Sequence, residues 1–406
     1  MIRLLRNANI FAPEPCGRRD LLLANGRIAA IGVDLPPLPE AYGGAEEDLE
    51  GATVIPGLVD AHVHLTGGGG EAGPATRVPP VQLTELTRAG VTTVVGVLGT
   101  DGTTRTVADL VARTYGLREE GLSAYCYTGA YELPVPTLTG SVRRDLVYVE
   151  PIIGVGELAI SDHRSSQPTY DELVRVASDC HVGGLMTGKA GILHLHLGDG
   201  RRGLELIRRA LDETELPPRV FHPTHVNRQR SLYAEACELG RRGCTVDVTA
   251  FPEDDPGDGL LAVDAIARWL ADESLPDARL TCSSDGAGCM PVFGDGGRVV
   301  AMDVGRATTL LAALGALVRG GVDLSRALPV FTRNVADQLR LPRKGRIQVG
   351  ADADLLILGG GSDRDDPPAQ LRGVLAGGRW LLRDGAPTVL GTFERANESR
   401  KTRRSE

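Results

Sequence analysis

Eight short runs of apolar and β-branched residues are interleaved with stretches whose apolar residues fall three or four positions apart, and that alternation leaves few folds open. The runs cover residues 54–65, 91–98, 124–131, 152–160, 191–197, 220–226, 245–251 and 279–284. Residues 81–89, 107–119, 170–178, 204–211, 232–241 and 262–271 carry the helical period. Strands that alternate with helices pair in parallel, because a parallel connection needs a crossover long enough to hold a helix. Eight such strands predict a (β/α)8 barrel of the TIM type, in which catalytic groups sit at the carboxyl ends of the strands. Polar residues at those ends therefore weigh more than polar residues elsewhere.

A barrel of this kind takes roughly 250 residues, and the chain has 406. The surplus lies at the two ends. Apolar runs at 20–23 and 27–31 flank Asn25-Gly26, a hairpin signal, and short runs of the same style return within 345–358, 374–376 and 380–382. Residues 1–55 and 345–396 are expected to form one small β-sandwich domain, residues 56–344 the barrel, and residues 397–406 a flexible charged tail.

A hydrophobic fraction of 42% and a charged fraction of 24% exclude a disordered chain. The net charge of -9 offers no basic surface to nucleic acid. Seven scattered cysteines without CxxC spacing point to reduced thiols in the cytoplasm. No run of about 18 apolar residues is present, so no membrane contact is expected. The composition reads as that of a cytoplasmic globular enzyme.

The first predicted strand ends in Asp60-Ala61-His62-Val63-His64. Side chains alternate along a strand, so His62 and His64 share a face and point into the barrel mouth. Glu157, His196, His225 and Asp285 end the fourth, fifth, sixth and eighth strands. Only eight histidines occur in the chain, and four of them meet two carboxylates at one rim. Buried polar groups without partners are costly, which favours a metal centre over core packing, and this nitrogen and oxygen set suits zinc. Two positions are ambiguous, because the fifth strand reads His194-Leu195-His196 and the sixth His222-Pro223-Thr224-His225. The later residue is preferred each time as lying nearer the strand end, which leaves His194 and His222 as structural or supporting histidines.

Along essentially its whole length the sequence resembles the isoaspartyl (β-aspartyl) dipeptidases of the amidohydrolase superfamily. The shared stretches are PGLVDAHVHLTGGGGEAGP from Pro56, VTTVVGVLGTDG from Val91, YTGAY from Tyr127, AISDHRS from Ala159, HLGD from His196, PTHVNR from Pro223 and SSDGAG from Ser283. The resemblance implies that His62, His64 and Asp285 hold one zinc ion and that His196 and His225 hold a second. A carboxylate and a hydroxide would bridge the pair. It further implies a small-molecule substrate, with substrate binding by Gly69, Gly70, Glu71, Thr100, Tyr131, Arg164 and Arg228, and a homo-oligomer.

Two positions depart from the family pattern. Its bridge is a carboxylated lysine, whereas this chain has only Lys189, Lys344 and Lys401 and carries Glu157 in the fourth strand. Glutamate needs no carbon dioxide but is three bonds shorter, roughly 3–4 Å of reach at about 1.5 Å per bond. The stretch Gly154-Val155-Gly156-Glu157, one residue longer than the lysine form, is expected to bulge or pack closely and so carry the carboxylate inward; otherwise Glu157 is solvated and the site holds one ion. The second departure is Cys289, which replaces a serine that binds substrate carboxylate. The implied reaction is hydrolysis of the β-aspartyl bond by a metal-bridging hydroxide, with Asp285 as proton carrier and Tyr131 as oxyanion donor. A cyclic-amide hydrolase, an N-acyl-amino-acid deacylase and a non-catalytic scaffold are the alternatives.

Overall fold

The computed structural model describes residues 2–252, 257–293, 299–359 and 370–394. The chain begins with β1 (Ile2–Phe11), β2 (Pro15–Ala24), β3 (Arg27–Gly32), β4 (Ala45–Asp48) and β5 (Thr53–Pro56). Eight further strands follow: β6 (Leu58–Val63), β7 (Val91–Gly96), β8 (Ser123–Thr128), β9 (Ile152–Ile160), β10 (Ile192–Leu197), β11 (Phe221–Thr224), β12 (Val246–Thr249) and β13 (Leu280–Ser283). A hairpin of β14 (Cys289–Phe293) and β15 (Val299–Val304) comes next. The last strands are β16 (Leu355–Gly359), β17 (Gln370–Ala376), β18 (Arg379–Arg383) and β19 (Ala386–Pro387).

Strands β6 to β11 form one parallel sheet in sequence order, and β12 pairs with β13 in parallel. The sheet curls. Val226 N–H donates to Asp247 O at one junction, and His64 N–H donates to Gly286 O at the other, where Val63 and Gly286 bridge in parallel. Strands β7 and β9 are buried at every residue, which explains why they read as continuous apolar runs: helices cover one face and barrel side chains fill the other. The covering helices include Val107–Glu119, Tyr170–Thr187, Arg230–Arg241 and Ala262–Ala271, with a capping box of Thr169 and Glu172 starting the second. The architecture is TIM-like.

Both chain ends meet in a nine-stranded sheet, ordered β19-β18-β17-β16-β5-β1-β2-β3 with β4 beside β1. The run expected as one strand over 54–65 is therefore two. It breaks at Gly57, where a Cβ would lie 2.1 Å from Thr92 Oγ1, so that β5 belongs to the terminal sheet and β6 to the barrel. The expected strand character of 345–358 is also confined, to Leu355–Gly359. Lys344 before it is buried and pairs with Asp352 at 2.9 Å and Asp354 at 2.7 Å. The tail expected from residue 397 lies outside the described residues. Among the described residues no helix is long and apolar enough to cross a membrane.

Candidate metal centre

Six side chains from five strand ends converge at the barrel mouth. His62, Glu157, His196 and His225 are at most 2% exposed, His64 6% and Asp285 8%, so none gains much from water. Glu157 is the hub. Its Oε1 lies 3.4 Å from both His62 Nε2 and His64 Nε2, while its Oε2 lies 3.0 Å from His196 Nδ1 and 3.6 Å from His225 Nε2. One carboxylate oxygen thus serves each imidazole pair. Asp285 Oδ1 adds to the first pair, at 3.1 Å from His64 Nε2 and 3.4 Å from His62 Nε2.

The reach of Glu157 comes from its strand. On β9 and β10, Val155 pairs with Leu193 and Leu158 with Leu195, so Gly156 and Glu157 stand opposite the single residue His194. That extra residue is a bulge, and it re-aims Glu157 into the mouth. Gly156 allows it, since a Cβ there would meet His194 Cβ at 2.9 Å and Tyr127 Cδ2 at 3.0 Å. Replacing Gly156 with alanine should therefore cost about 1–3 kcal/mol through overpacking and weaken metal uptake. Chemical denaturation together with metal analysis of the purified variant checks both; unchanged values in both would remove the close-approach argument.

The electrostatics favour a cation. Burial alone would raise the Glu157 carboxyl, but His62 and His196 outweigh it and hold it well below the usual carboxylate range. Burial would likewise depress His62, yet Glu157 and Asp285 hold it well above the usual imidazole value. A positive charge is wanted there, and a divalent ion can take the place of a proton. His62 Nε2 and Asp285 Oδ1 face one another without a hydrogen-bond partner among the described residues, as ligand atoms awaiting an ion would. Burial pushes His225 down to about 3, leaving a neutral ring whose Nδ1 lies 2.7 Å from Thr249 Oγ1 and whose Nε2 faces Glu157. Three overlapping groups of these six residues hold their ligand atoms within 4.8 Å of one another. The residues fit metal binding.

A cavity of about 440 Å³ opens from the centre, with Glu71, Arg164, Arg228, Asp285 and Cys289 in its wall. A smaller one beside it is lined by Gly69, Thr100 and Tyr131, while Gly70 lines neither. Arg164 NH1 lies 3.7 Å from Glu71 Oε1, so opposite charges stand together at the rim. Arg228 donates to Leu197 O at 3.0 Å. The Tyr131 hydroxyl is 2.8 Å from His196 Nδ1; burial and then Glu157 raise its pKa well above the ordinary phenol value, which keeps the donor hydrogen on. Burial pushes the Cys289 thiol up to about 11, so it stays protonated and donates weakly.

Two groups at the site escape a reading of strand ends. Asp162 takes both Nε and NH2 of Arg164, at 3.0 and 2.7 Å, and touches His196 Nε2 at 2.9 Å. It lies just past β9, two residues before Arg164, and only its place in AISDHRS could have flagged it. Buried Arg105 donates to the carbonyls of Thr66, Gly68, Gly69 and Val78 and so pins the Gly-rich loop. Nothing in the local sequence around Arg105 announces that role. His194 and His222 sit deeper, below His62.

A curled parallel sheet with a histidine and carboxylate cluster at its mouth has a known class. Residues 169–381, over half of the chain, match the amidohydrolase family, and the chain belongs to that family. Over nearly its full length it is similar to a β-aspartyl dipeptidase of Fervidobacterium islandicum AW-1 solved with a β-Asp-Leu dipeptide, at 38% identity and a TM-score of 0.88, covering 97% of this chain and 100% of that one. A D-hydantoinase shares the fold, with 18% identity, a TM-score of 0.67 and 97% of each chain covered. Among curated relatives, an imidazolonepropionase of Cupriavidus taiwanensis is 40% identical over 118 residues. That match spans only 28% of the relative's length and 28% of this chain.

Proposed function

We propose that this chain hydrolyses the β-aspartyl bond of isoaspartyl dipeptides at a centre of two zinc ions, in a closed (β/α)8 barrel spanning residues 56–344 beside a β domain from 1–55 and 345–396. The observation that carries the reading is Glu157, whose two oxygens each face a different imidazole pair. His62, His64 and Asp285 would hold one ion, His196 and His225 the other, and Glu157 both. When bound, the ions would polarise the scissile carbonyl and acidify water near neutral pH.

The protein groups supply the rest. Asp285 takes the proton of the attacking water and returns it to the departing amine. Tyr131 donates a hydrogen bond to the oxygen on which negative charge develops. The substrate carries one ammonium and two carboxylates. Glu71 meets the ammonium, and Arg164 and Arg228 grip carboxylate with paired N–H donors. Asp162 orients Arg164 for that task. The 38% identity to a dipeptidase solved with β-Asp-Leu supports this choice of substrate.

Local likeness to imidazolonepropionase favours a second reading, hydrolysis of a cyclic amide. A panel of β-Asp-X, α-Asp-X, N-acyl dipeptides and cyclic amides, run with metal content measured, decides between them. Turnover should concentrate on β-Asp-X; preference for a cyclic amide would overturn the assignment. Arg228→Lys loses the planar fork, so KM for a β-Asp-X substrate should rise about tenfold or more with kcat nearly constant. An unchanged KM would remove Arg228 from the carboxylate site.

A further inference from the structure

Two histidines unused by the chemistry above, His194 and His222, are wholly buried and form a file with His62. His62 Nδ1 lies 2.8 Å from His194 Nε2, His194 Nδ1 lies 3.0 Å from His222 Nδ1, and His222 Nε2 lies 3.1 Å from Thr281 Oγ1. Thr281 then donates across 2.6 Å to Asp247 Oδ1, in preference to the Val246 carbonyl at 3.3 Å. Asp247 also accepts the hydroxyls of Thr224 and Ser283, so every one of these neighbours points a hydrogen at it. The file runs from the mouth of the barrel into its interior and ends on a carboxylate.

Its direction follows from counting donors. Where two ring nitrogens meet at hydrogen-bond distance, one carries the hydrogen and the other the lone pair, so each ring fixes the next. His62 Nε2 faces Glu157 and Asp285 with no hydrogen-bond partner among the described residues. A ligating nitrogen offers its lone pair, which places the hydrogen of neutral His62 on Nδ1. His194 must then accept at Nε2 and donate from Nδ1. His222 accepts at Nδ1 and donates from Nε2, and Thr281 accepts from it while passing its own hydrogen to Asp247. Every contact has one donor and one acceptor. The reverse polarity would put a hydrogen on His62 Nε2 and close that nitrogen to a cation.

We infer that Asp247, acting through Thr281, His222 and His194, is a positioning residue that fixes His62 with its Nε2 lone pair turned toward the metal centre. The inference rests on reading His62 as a ligand. An outer partner of this kind orients the ring and strengthens it as a donor, and its loss typically weakens metal binding by about 10- to 100-fold. This file also explains why strands β10 and β11 each carry a second histidine.

The test is ring-nitrogen NMR of the zinc-loaded protein with labelled histidine, alongside zinc affinity by chelator competition. His194 should carry its hydrogen on Nδ1 and His222 on Nε2. Thr281→Val keeps the side-chain shape but removes the hydroxyl. It should mix the His222 tautomers and weaken one of the two zinc sites by about 10- to 100-fold, and Thr281→Ser should restore both readings. Opposite tautomers in the zinc-loaded wild type, or unaltered tautomers and affinity in Thr281→Val, would overturn the inference. Failure of the wild type to bind zinc at all is a different result, and it would overturn the metal reading beneath it.

Discussion

Asp285→Asn lowers kcat by about 10²- to 10⁴-fold while the protein stays folded and keeps most of its metal. Asparagine has nearly the same shape, so the loss isolates chemistry from packing. Asp285 follows β13 and sits at φ +52°, a conformation asparagine also tolerates. Its Oδ1 lies within 3.4 Å of His62 and His64 yet has no hydrogen-bond partner among the described residues. The carboxylate is also held well below its usual pKa range: burial would raise it, but His62 and His64 outweigh that effect. It is therefore ionised and offers a lone pair to a proton, which a neutral amide does not. Metal should persist because His62, His64 and Glu157 still face that position. Steady-state kinetics on protein of measured metal content gives the answer. A kcat within a few-fold of wild type at equal metal would remove Asp285 from proton transfer.

The parts of this site visible in sequence are those set by local periodicity. His62 and His64 share a face because strand side chains alternate, and the apolar runs of β7, β9 and β10 are long enough to reveal their type. The less visible parts depend on contacts between distant residues. The division of 54–65 into two sheets depends on Thr92 closing against Gly57. Arg105 acts on a loop more than thirty residues earlier, and Asp247 acts through three intervening side chains. The hairpin of β14 and β15, which brings Cys289 to the pocket, has no alternating pattern strong enough to predict it. Glu157 lies between these cases. Its residue type and the glycine before it suggest a bulge, but only the register between β9 and β10 displays one.

That bulge makes position 157 the most sensitive in the centre. Glu157→Ala removes the one group that, among the described residues, faces both imidazole pairs and leaves four buried histidines without their shared carboxylate. Metal content should fall by half or more, and kcat on the order of 10³-fold or more, since a metal's Lewis acidity is worth several kcal/mol. Glu157→Lys with added bicarbonate is the sharper probe, because the resemblance noted from the sequence implies a carboxylated lysine at this position. Here the bulge already aims position 157 into the mouth, with Gly156 packed on His194 and Tyr127. A side chain three bonds longer overruns the imidazole pairs by roughly 3–4 Å. Bicarbonate should therefore restore neither metal nor turnover. Restoration of both would mean that β9 yields to its side chain, and the bulge would then be a consequence of glutamate at 157 rather than the feature that makes glutamate sufficient.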